Sequence, residues 1–381
     1  MDMKEQIRVG IIGLGFIGKV HAGAYAALPQ LFGENAVNAK LVAALRTHSG
    51  TEPEFLASLG NPLETTDMRE FLSQDLDLVD VCSPNSYHLP QIQEALARKP
   101  HIYCEKPIGL DLAQAREISH LADTAGVLTH TAFTYRYYPG VRQLKSILAS
   151  GALGDIFNFR VQYFHSSYMD PLRPISWRLK WATSGGGALA DLGVHIIDMV
   201  RFILGEVKWV RCSTDTFIKQ RPVKPGSSEL DSVDVDDWAL CMLGLESGPQ
   251  GVLETTRYSG GLGDSMRFEV FGSQGSAVFD LSQPAHASYY DQKQKQTIFG
   301  NLEFPTPERE RPLSQIMPVP KLSMGYFRDV HAASIYDFLL NIREGKTSSA
   351  DFHAAVKAQE ILEASYLSAK NDGEKIQLPL S

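Results

Sequence analysis

Several features are scarce or missing in this chain of 381 residues. No apolar run approaches the length of a membrane span. The opening residues "MDMKEQIRVGIIG" enter a strand pattern at once, and nothing resembling a secretory signal precedes that pattern. Lys and Arg are scattered, and the formal net charge is −8, so there is no basic surface typical of nucleic-acid or anionic-membrane binding. We therefore expect neither a nucleic-acid partner nor a membrane partner.

Cysteine is also rare, since the chain has only four cysteines and they lie far apart. This spacing suits neither a disulfide framework nor a zinc site. We expect buried free thiols, a cytoplasmic location and no bound metal. The four are Cys82, Cys104, Cys212 and Cys241.

The first part of the chain has the pattern of an α/β domain. Short apolar runs with little inside–outside alternation, typical of parallel strands covered on both faces, alternate with helical patterns. The runs are "IRVGIIG" (7–13), "KLVAAL" (40–45), "LDLVDVCSP" (76–84), "HIYCEKP" (101–107) and "VLTHTAF" (127–133). We predict a dinucleotide-binding Rossmann domain with a doubly wound parallel sheet over residues 1–135.

The pattern changes in residues 136–381, which we predict to form an α+β domain for substrate binding and oligomerisation. A long alternating strand at 154–166 is followed by hairpin-like pairs with turns at Gly248-Pro249 and Gly272–Gly275. Two amphipathic helices are predicted at about 326–344 and 351–370. The composition of residues 220–234 predicts a mobile polar loop.

A glycine motif follows the first predicted strand. Gly13, Gly15 and Gly18 of "GLGFIG" fit the G-x-G-x-x-G pattern, with Phe16 and Ile17 between them. In this position the glycines allow a tight turn, the approach of a pyrophosphate and close packing of helix on strand. The motif predicts a dinucleotide site formed by these five residues.

The residues at the end of the second predicted strand bear on whether NAD or NADP binds. Arg46, Thr47, His48 and Ser49 stand where an acid would bond the adenine ribose. An arginine suits a 2′-phosphate, which favours NADP slightly over NAD. The alternative is that Arg46 stacks on the adenine, in which case both cofactors would fit.

Polar residues follow the next two predicted strands, at the sheet edge where open α/β sheets bind ligands. Ser83, Pro84 and Asn85 lie after one strand, with His88 starting the next helix, and the sequence Glu105-Lys106-Pro107 ends the other. We predict that these residues line the cofactor, with the Lys106 ammonium stabilising negative charge on a substrate oxygen. The alternative is a strand whose charges simply reach water as it leaves the core.

A second group lies downstream. Asp191, His195 and Asp198 are spaced to share one helix face, and Gly185–Gly187 just before them would let backbone approach a ligand. His beside Asp is an acid–base unit, although the pair could instead tie the helix to the sheet. A metal site would need a further ligand, and no residue has clear spacing for one.

An aromatic and a cation precede this group. Trp177 and Arg178 could present a flat ring and a guanidinium to a polyhydroxylated substrate. A hydrophobic anchor beside a surface charge is the equally simple alternative.

Together, "GLGFIG", "SPNSYH", "EKP" and "DLGVHIID" resemble the Gfo/Idh/MocA oxidoreductases over roughly residues 5–205. The resemblance implies a Rossmann domain followed by a domain with a large open sheet. It also implies that Lys106, Asp191 and His195 are catalytic and that the last two contact substrate. The segment "TYRYYP" resembles a family Asn-x-Arg segment, with Thr134 replacing the Asn and Arg136 retained as a substrate-binding residue. The "SWR" stretch is similar to a subgroup that includes levoglucosan dehydrogenase-like enzymes.

We therefore expect an NAD(P)-dependent dehydrogenase that transfers hydride between the nicotinamide and a hydroxyl of a sugar, sugar derivative or cyclitol. Two alternatives remain open: a cofactor-retaining glycosidase that works by transient oxidation and elimination, and a non-catalytic dinucleotide sensor. Successive strands without intervening helices leave one sheet face uncovered, so we expect a homodimer or homotetramer packed through that face. Phe157, Phe159 and Tyr163, or their neighbours, are the residues expected there.

Overall fold

The fold is known from a computed structural model that describes residues 6–48, 50, 52–300 and 310–380. Ser49 lies outside these residues. The chain forms two compact units. Unit 1 contains the described chain up to Gly109, Ala113–Tyr137 and Glu310–Val356, and unit 2 contains the remaining described residues. The boundary after Tyr137 lies close to the predicted division at residue 135, but the segment from Glu310 to Val356 returns to unit 1 and Leu110–Leu112 belong to unit 2.

The regular elements of the described residues begin with the strands. They are β1 Ile7–Ile12, β2 Ala39–Leu45, β3 Leu63–Thr65, β4 Leu78–Val81, β5 His101–Cys104, β6 Thr129–Thr131, β7 Ile156–His165, β8 Val207–Asp215, β9 Gln220–Pro222, β10 Leu230–Ser232, β11 Trp238–Leu245, β12 Gln250–Thr256, β13 Asp264–Gly272, β14 Gly275–Asp280, β15 Ala287–Asp291, β16 Gln296–Phe299 and β17 Ile376–Gln377. The α-helices are α1 Phe16–Phe32, α2 Pro53–Ser58, α3 Met68–Leu72, α4 His88–Leu96, α5 Leu112–Ala125, α6 Pro139–Ala149, α7 Trp181–Ser184, α8 Val194–Leu204, α9 Leu313–Ile316, α10 Tyr326–Glu344 and α11 Phe352–Lys370.

Unit 1 is built on a six-stranded sheet with the order β3-β2-β1-β4-β5-β6, and every pairing is parallel. The four residues of β4 are all buried, as expected for a strand covered on both faces. This order confirms the predicted Rossmann sheet. Strand β3 was not predicted, because three residues are too few to show a period.

Helix α10 belongs to unit 1, where most of its length is buried. It packs against α1, and the rings of Phe32 and Tyr336 stack with centroids 3.8 Å apart. Residues 329–341 of the helix are all buried. Burial of the apolar side chains among these residues stabilises the position of α10 in unit 1, although the helix lies far along the chain from the strands of that unit. No helix in the described part of the chain combines the length and apolar content that a membrane crossing requires.

Unit 2 is built on a nine-stranded sheet with the order β16-β15-β14-β13-β7-β12-β11-β8-β17. Only the β7–β12 pairing is parallel, so the predicted large, mostly antiparallel sheet is confirmed. The turns expected at Gly248-Pro249 and Gly272–Gly275 join β11 to β12 and β13 to β14.

The two faces of this sheet differ from the expectation in detail. Phe159 and Tyr163 are buried, with 1% and 4% of their surface exposed, whereas Phe157 is 61% exposed. The opposite face of the sheet carries exposed Leu240 and Met242 on β11. Alternation along β7 sends Phe159 and Tyr163 toward the core, so the neighbouring positions, rather than these two, form the exposed surface.

Residues 220–234 contain a small hairpin, β9 with β10, where a mobile polar loop was expected. Arg221 is fully buried and donates to the carbonyl oxygens of Tyr168, Asp170 and Arg173. Its guanidinium also donates to the Tyr258 hydroxyl. Composition could not reveal this order, because a charged residue that satisfies buried carbonyls looks like a surface residue in the sequence.

Candidate active site

The glycine loop between β1 and α1 has the geometry of a pyrophosphate cradle. Gly13 has φ 91°, which favours glycine, and a Cβ on Gly18 would lie 1.9 Å from the Gly13 carbonyl oxygen. A Cβ on Gly15 would meet nothing within 4 Å, so the space beside this backbone is open. Helix α1 begins at Phe16 without a side-chain cap and without an acid in its first turn. Its positive end therefore suits an anionic group, and these residues fit a dinucleotide cofactor.

Two residues of this loop face different surroundings. Phe16 is 76% exposed, with its ring centroid 6.0 Å from that of Phe327, and Ile17 is half-buried. Their contact with a cofactor stays a prediction.

Arg46 lies directly after β2 and is held by two acids. Its guanidinium donates to Glu64 at 2.8 Å and to Glu52 at 3.1 Å. Lys19 also pairs with Glu52, and the pKa of Glu52 is lowered chiefly by this hydrogen bond. Two acids, Glu64 on β3 and Glu52 before α2, therefore lie beside Arg46 at the end of β2. Sequence reasoning missed Glu64 because β3 was not predicted, and it gave no signal that Glu52 lies here.

The segment after β4 is tied to the rest of unit 1 by hydrogen bonds. Ser83 Oγ donates to Gln91 Oε1 at 2.6 Å, and Asn85 is buried. His88 is fully buried between the carbonyl oxygens of Ser83 and Ile108, at 3.0 and 3.2 Å, and burial lowers its pKa. His88 therefore links the segments after β4 and β5. The cofactor contacts predicted for His88, Ser83, Pro84 and Asn85 stay predictions.

Lys106 follows β5 at the carboxyl edge of the sheet, as predicted. The side chain is half-buried, and the Lys106–Pro107 peptide bond is cis. The Lys106 amide donates to Glu105 Oε2 at 3.2 Å. Burial opposes ionisation of Glu105, but His21, Lys106 and His331 lower its pKa to about 2. Lys106 is therefore joined through its backbone amide to a carboxylate that stays ionised at neutral pH, and its ammonium group attracts that carboxylate.

In unit 2, Asp191 and His195 do not lie on one regular α-helix as expected. A π-helical turn spans Leu189–Gly193 and includes Asp191, and α8 starts after it with His195 and Asp198 buried. Such one-turn π segments widen the helix locally and occur often at functional sites. The spacing of residues in the sequence cannot show a change from i+4 to i+5 hydrogen bonding.

Asp191 forms a buried ion pair that the sequence did not reveal. Arg257 Nη2 lies 3.1 Å from Asp191 Oδ2 and 3.0 Å from the Gly187 carbonyl oxygen. Arg257 is 1% exposed, and although burial lowers its pKa, Asp191, Tyr168 and Asp236 raise it overall. The guanidinium is therefore a fixed positive charge that holds the half-exposed Asp191 carboxylate in place.

Asp236 organises the backbone before the π turn. Its carboxylate accepts hydrogen bonds at 2.8 Å from the amides of Gly187 and Leu189 and from the Tyr366 hydroxyl. A Cβ on Gly187 would lie 1.8 Å from the Asp236 carbonyl oxygen, and one on Gly186 would lie 2.2 Å from the Tyr366 hydroxyl. Neighbouring protein atoms thus leave no room for side chains at Gly186 and Gly187, and the expected approach of a ligand to this backbone stays a prediction.

The His195 ring is buried, with 9% of the residue exposed, and its centroid lies 6.2 Å from that of Tyr163 in an edge-on arrangement. Trp177 and Arg178 are half-buried and stack on each other, with the guanidinium carbon 4.4 Å from the ring centroid. The substrate roles predicted for these three residues remain predictions.

Arg136 is in unit 1 and is largely buried. Its guanidinium donates to the Ser349 carbonyl oxygen at 2.8 Å and lies 5.3 Å from the centroid of the Phe133 ring. Thr134 nearby is also buried. These contacts give Arg136 a structural role, and its substrate role stays a prediction.

Among the described residues, Asp191, His195 and Asp198 do not form a cluster with metal-binding geometry. All four cysteines are buried and unlinked by disulfides. The groups of described residues that could hold a metal ion both lie in unit 1 and share His21, which lies with Glu105 and His331 in one group and with Asp80 and Cys82 in the other.

Comparison with known proteins identifies the class. Residues 7–133 match the family described as an oxidoreductase family with an NAD-binding Rossmann fold, and residues 141–278 match the GFO/IDH/MocA C-terminal domain. The protein is therefore an oxidoreductase with an NAD-binding fold. The chain belongs to the Gfo/Idh/MocA family, which confirms the resemblance seen in the sequence.

Individual relatives cover most of the chain. Levoglucosan dehydrogenase from Pseudarthrobacter phenanthrenivorans is 31% identical over 370 residues, covering 91% of this chain and 92% of its own. Myo-inositol 2-dehydrogenase from Thermotoga maritima is 29% identical over 276 residues, which are 72% of this chain and 75% of that one. The solved structure of levoglucosan dehydrogenase in complex with NADH has a TM-score of 0.88 and 29% identity, covering 99% of this chain and 100% of that chain.

The glycine loop can be tested with two substitutions in the same helix. Gly18→Ala places a Cβ against the Gly13 carbonyl oxygen, so we expect loss of stability by about 1–3 kcal/mol and weaker dinucleotide binding. Gly23→Ala is the control, because a Cβ there meets nothing and alanine favours the helix by about 0.5–1 kcal/mol. Thermal unfolding and calorimetric titration with NAD measure both effects, and equal behaviour of the two variants would contradict the packing role of Gly18.

Proposed function

We propose that this protein is an NAD-dependent dehydrogenase acting on a secondary hydroxyl of a sugar, sugar derivative or cyclitol. The observation that carries the proposal is the position of Lys106, a half-buried residue at the sheet edge that follows an ionised carboxylate, in a unit that also holds the glycine loop. Substrate class is supported by the full-length similarity to levoglucosan dehydrogenase and by that to myo-inositol 2-dehydrogenase.

The roles of the side chains follow from their chemistry. His195 accepts the proton of the substrate hydroxyl, and Asp191, held by Arg257, orients the substrate and the imidazole. Lys106 donates a hydrogen bond to an oxygen of the substrate and stabilises negative charge as it develops there. The bound nicotinamide supplies the hydride acceptor. Arg136, Trp177 and Arg178 are proposed as further substrate contacts.

A substrate panel with a matched variant tests this function. Purified wild-type protein should reduce NAD with levoglucosan, myo-inositol or a related polyol, and Lys106→Met should lower kcat by about a hundredfold or more with near-normal folding and NAD affinity. Release of an aglycone without net NADH would point to the glycosidase alternative. Cofactor binding with no turnover on any sugar or polyol would favour the sensor alternative. Turnover of Lys106→Met within a fewfold of wild type would remove Lys106 from the mechanism.

We propose NAD as the preferred cofactor, instead of the slight preference for NADP expected from the sequence. The support is that Arg46 already bonds Glu64 and Glu52, so its positive charge is balanced. A 2′-phosphate near these carboxylates would meet repulsion, whereas a ribose hydroxyl could donate to one of them. The solved levoglucosan dehydrogenase complexes contain NADH.

Cofactor preference is tested by removing the acids. We expect the wild type to bind NAD at least tenfold more tightly than NADP, because like charges oppose the phosphate by about 1.4 kcal/mol or more. Glu64→Gln combined with Glu52→Gln should narrow this ratio, mainly by strengthening NADP binding. The measurement is the Kd for each cofactor by fluorescence titration. Tighter binding of NADP to the wild type would reverse the proposal.

We also propose that the exposed face of the nine-stranded sheet pairs with a second copy of the chain. Leu240 and Met242 are 37% and 44% exposed on adjacent outward positions of β11, in the interior of the sheet rather than at its edge. An uncovered apolar sheet face is unfavourable in water, and a self-complementary contact would bury it.

Assembly is tested on this face with a distant control. Leu240→Glu combined with Met242→Glu should convert a dimer or tetramer to smaller species, since buried charges would oppose the contact. Leu172→Glu is the control, because Leu172 is 73% exposed outside this sheet. Light scattering at micromolar concentration gives the mass. A monomeric wild type would contradict the proposal.

A further inference from the structure

A buried group of charged side chains lies behind Lys106 in unit 1, and no role assigned above uses it. His21 on α1 is fully buried, with Nδ1 3.0 and 3.1 Å from the two carboxylate oxygens of Asp80 on β4. Its Nε2 lies 3.4 Å from Glu105 Oε1. One imidazole therefore lies between two carboxylates that come from neighbouring parallel strands.

The charges in this group balance only when His21 is protonated. Asp80 is fully buried and Glu105 nearly so, and two buried carboxylates with Lys106 alone would leave a net negative charge in the protein interior. An imidazolium restores neutrality. Burial by itself lowers the pKa of His21, but contacts with Cys82 and Asp80 raise it well above its ordinary value.

The properties of the surrounding groups indicate that His21, and not one of them, carries the proton that balances the two carboxylates. The Tyr25 hydroxyl donates to Asp80 at 3.0 Å, and burial raises the pKa of the Cys82 thiol. His331 contacts the Phe327 carbonyl oxygen at 2.7 Å, and burial together with His21 lowers its pKa to about 4. The titratable groups that face His21 or Glu105 are Tyr25 on α1, Asp80 and Cys82 at β4, His88 on α4, Tyr103 and Cys104 on β5, Lys106, and His331 on α10.

We propose that His21 is a positioning residue: held by Asp80, its imidazolium keeps the Glu105 carboxylate ionised and fixed, and Glu105 in turn positions Lys106. Glu105 reaches Lys106 through the hydrogen bond from the Lys106 amide and through the attraction of the ammonium. The Nε2 atom of His21 forms no hydrogen bond of ordinary geometry, so its hold on Glu105 is the attraction of opposite charges in a buried setting. This inference rests on the proposed role of Lys106.

The pH dependence has a definite sign. The lowered pKa of Glu105 gives a stability contribution that is present above about pH 4.3 and is lost as the pH falls toward 2. The raised pKa of His21 gives a contribution that is present below about pH 6.5 and is lost as the pH rises through the folded-state value. Both contributions are therefore complete between about pH 4.3 and 6.5.

The test removes the positive charge of His21 and keeps a hydrogen-bond donor at the same position. In His21→Gln, Glu105 loses its counter-charge and burial favours its protonated form, so kcat should fall about ten- to hundredfold with near-normal NAD affinity. The loss should deepen toward acidic pH, giving an acid limb over about pH 5–7 that the wild type lacks. Glu105→Gln should be slow at every pH, and the double variant His21→Gln/Glu105→Gln no slower.

His130→Gln is the control for a merely structural loss. His130 is fully buried in the same unit, bonds Ser348 and Ser334 at 2.7 and 3.0 Å, and has its pKa lowered to about 3, so it is neutral. Its replacement should lower the melting temperature without adding an acid limb. An acid limb in this control, or a pH-independent loss in His21→Gln, would overturn the proposal.

Two readouts need no substrate and therefore separate this inference from the proposed function. Nitrogen NMR of the wild type at pH 7 should show both His21 nitrogens protonated, and infrared spectra of His21→Gln should show a protonated carboxyl that disappears in the double variant. A neutral His21 in the wild type overturns the proposal even if the variant fails to fold. A stoichiometric divalent cation in the purified protein, lost in His21→Gln, would overturn it as well. If no sugar or polyol is oxidised, the proposed function fails while these spectra still decide the charge of His21.

Discussion

The close approach of Gly18 to the Gly13 carbonyl oxygen is the constraint that places helix α1, and with it the cofactor loop and His21, against β1. With no side chain at Gly18, helix α1 lies close against the end of β1. This approach opens the glycine loop toward an anion at the helix start, and one turn later it brings His21 within hydrogen-bond distance of Asp80. A single close backbone contact therefore supports both the cofactor cradle and the buried charges behind Lys106.

Unit 2 relies on a comparable constraint of its own. Asp236 binds two backbone amides and a tyrosine hydroxyl at the segment before the π turn, where glycines leave no room for side chains. Arg257 bonds the Gly187 carbonyl oxygen and Asp191 together. Asp191 is thus fixed by a buried cation and by a rigid backbone turn, which is the kind of support that a positioned carboxylate requires. In unit 2, a buried cation outside the sequence motif therefore holds a motif residue in place, and the role that we propose for His21 would give unit 1 a similar support.

The residues that bear on cofactor choice are not all visible in the local pattern after β2. The residues after β2 contain an arginine and no acid, which favoured NADP. In the folded chain, Glu64 is brought beside Arg46 by the parallel pairing of β3 with β2. An arginine that is already paired with carboxylates attracts a 2′-phosphate much less strongly than an unpaired arginine would. Strand β3 has only three residues, so its contribution was invisible to periodicity.

The sequence by itself determined five of the six strands of the parallel sheet in unit 1, the hairpins of the nine-stranded sheet, the two terminal helices, and the motif residues Gly13, Lys106 and His195. These features depend on the period of apolar residues and on short motifs, which local sequence carries. Only the tertiary structure decided that α10 returns to unit 1, that a π turn contains Asp191, and that Arg257 pairs with that carboxylate from 66 residues away. It also decided that His21 lies between Asp80 and Glu105, from strands 59 and more residues along the chain. Ion pairs of this kind form between side chains that folding brings together, and nothing in the local sequence specifies the partner.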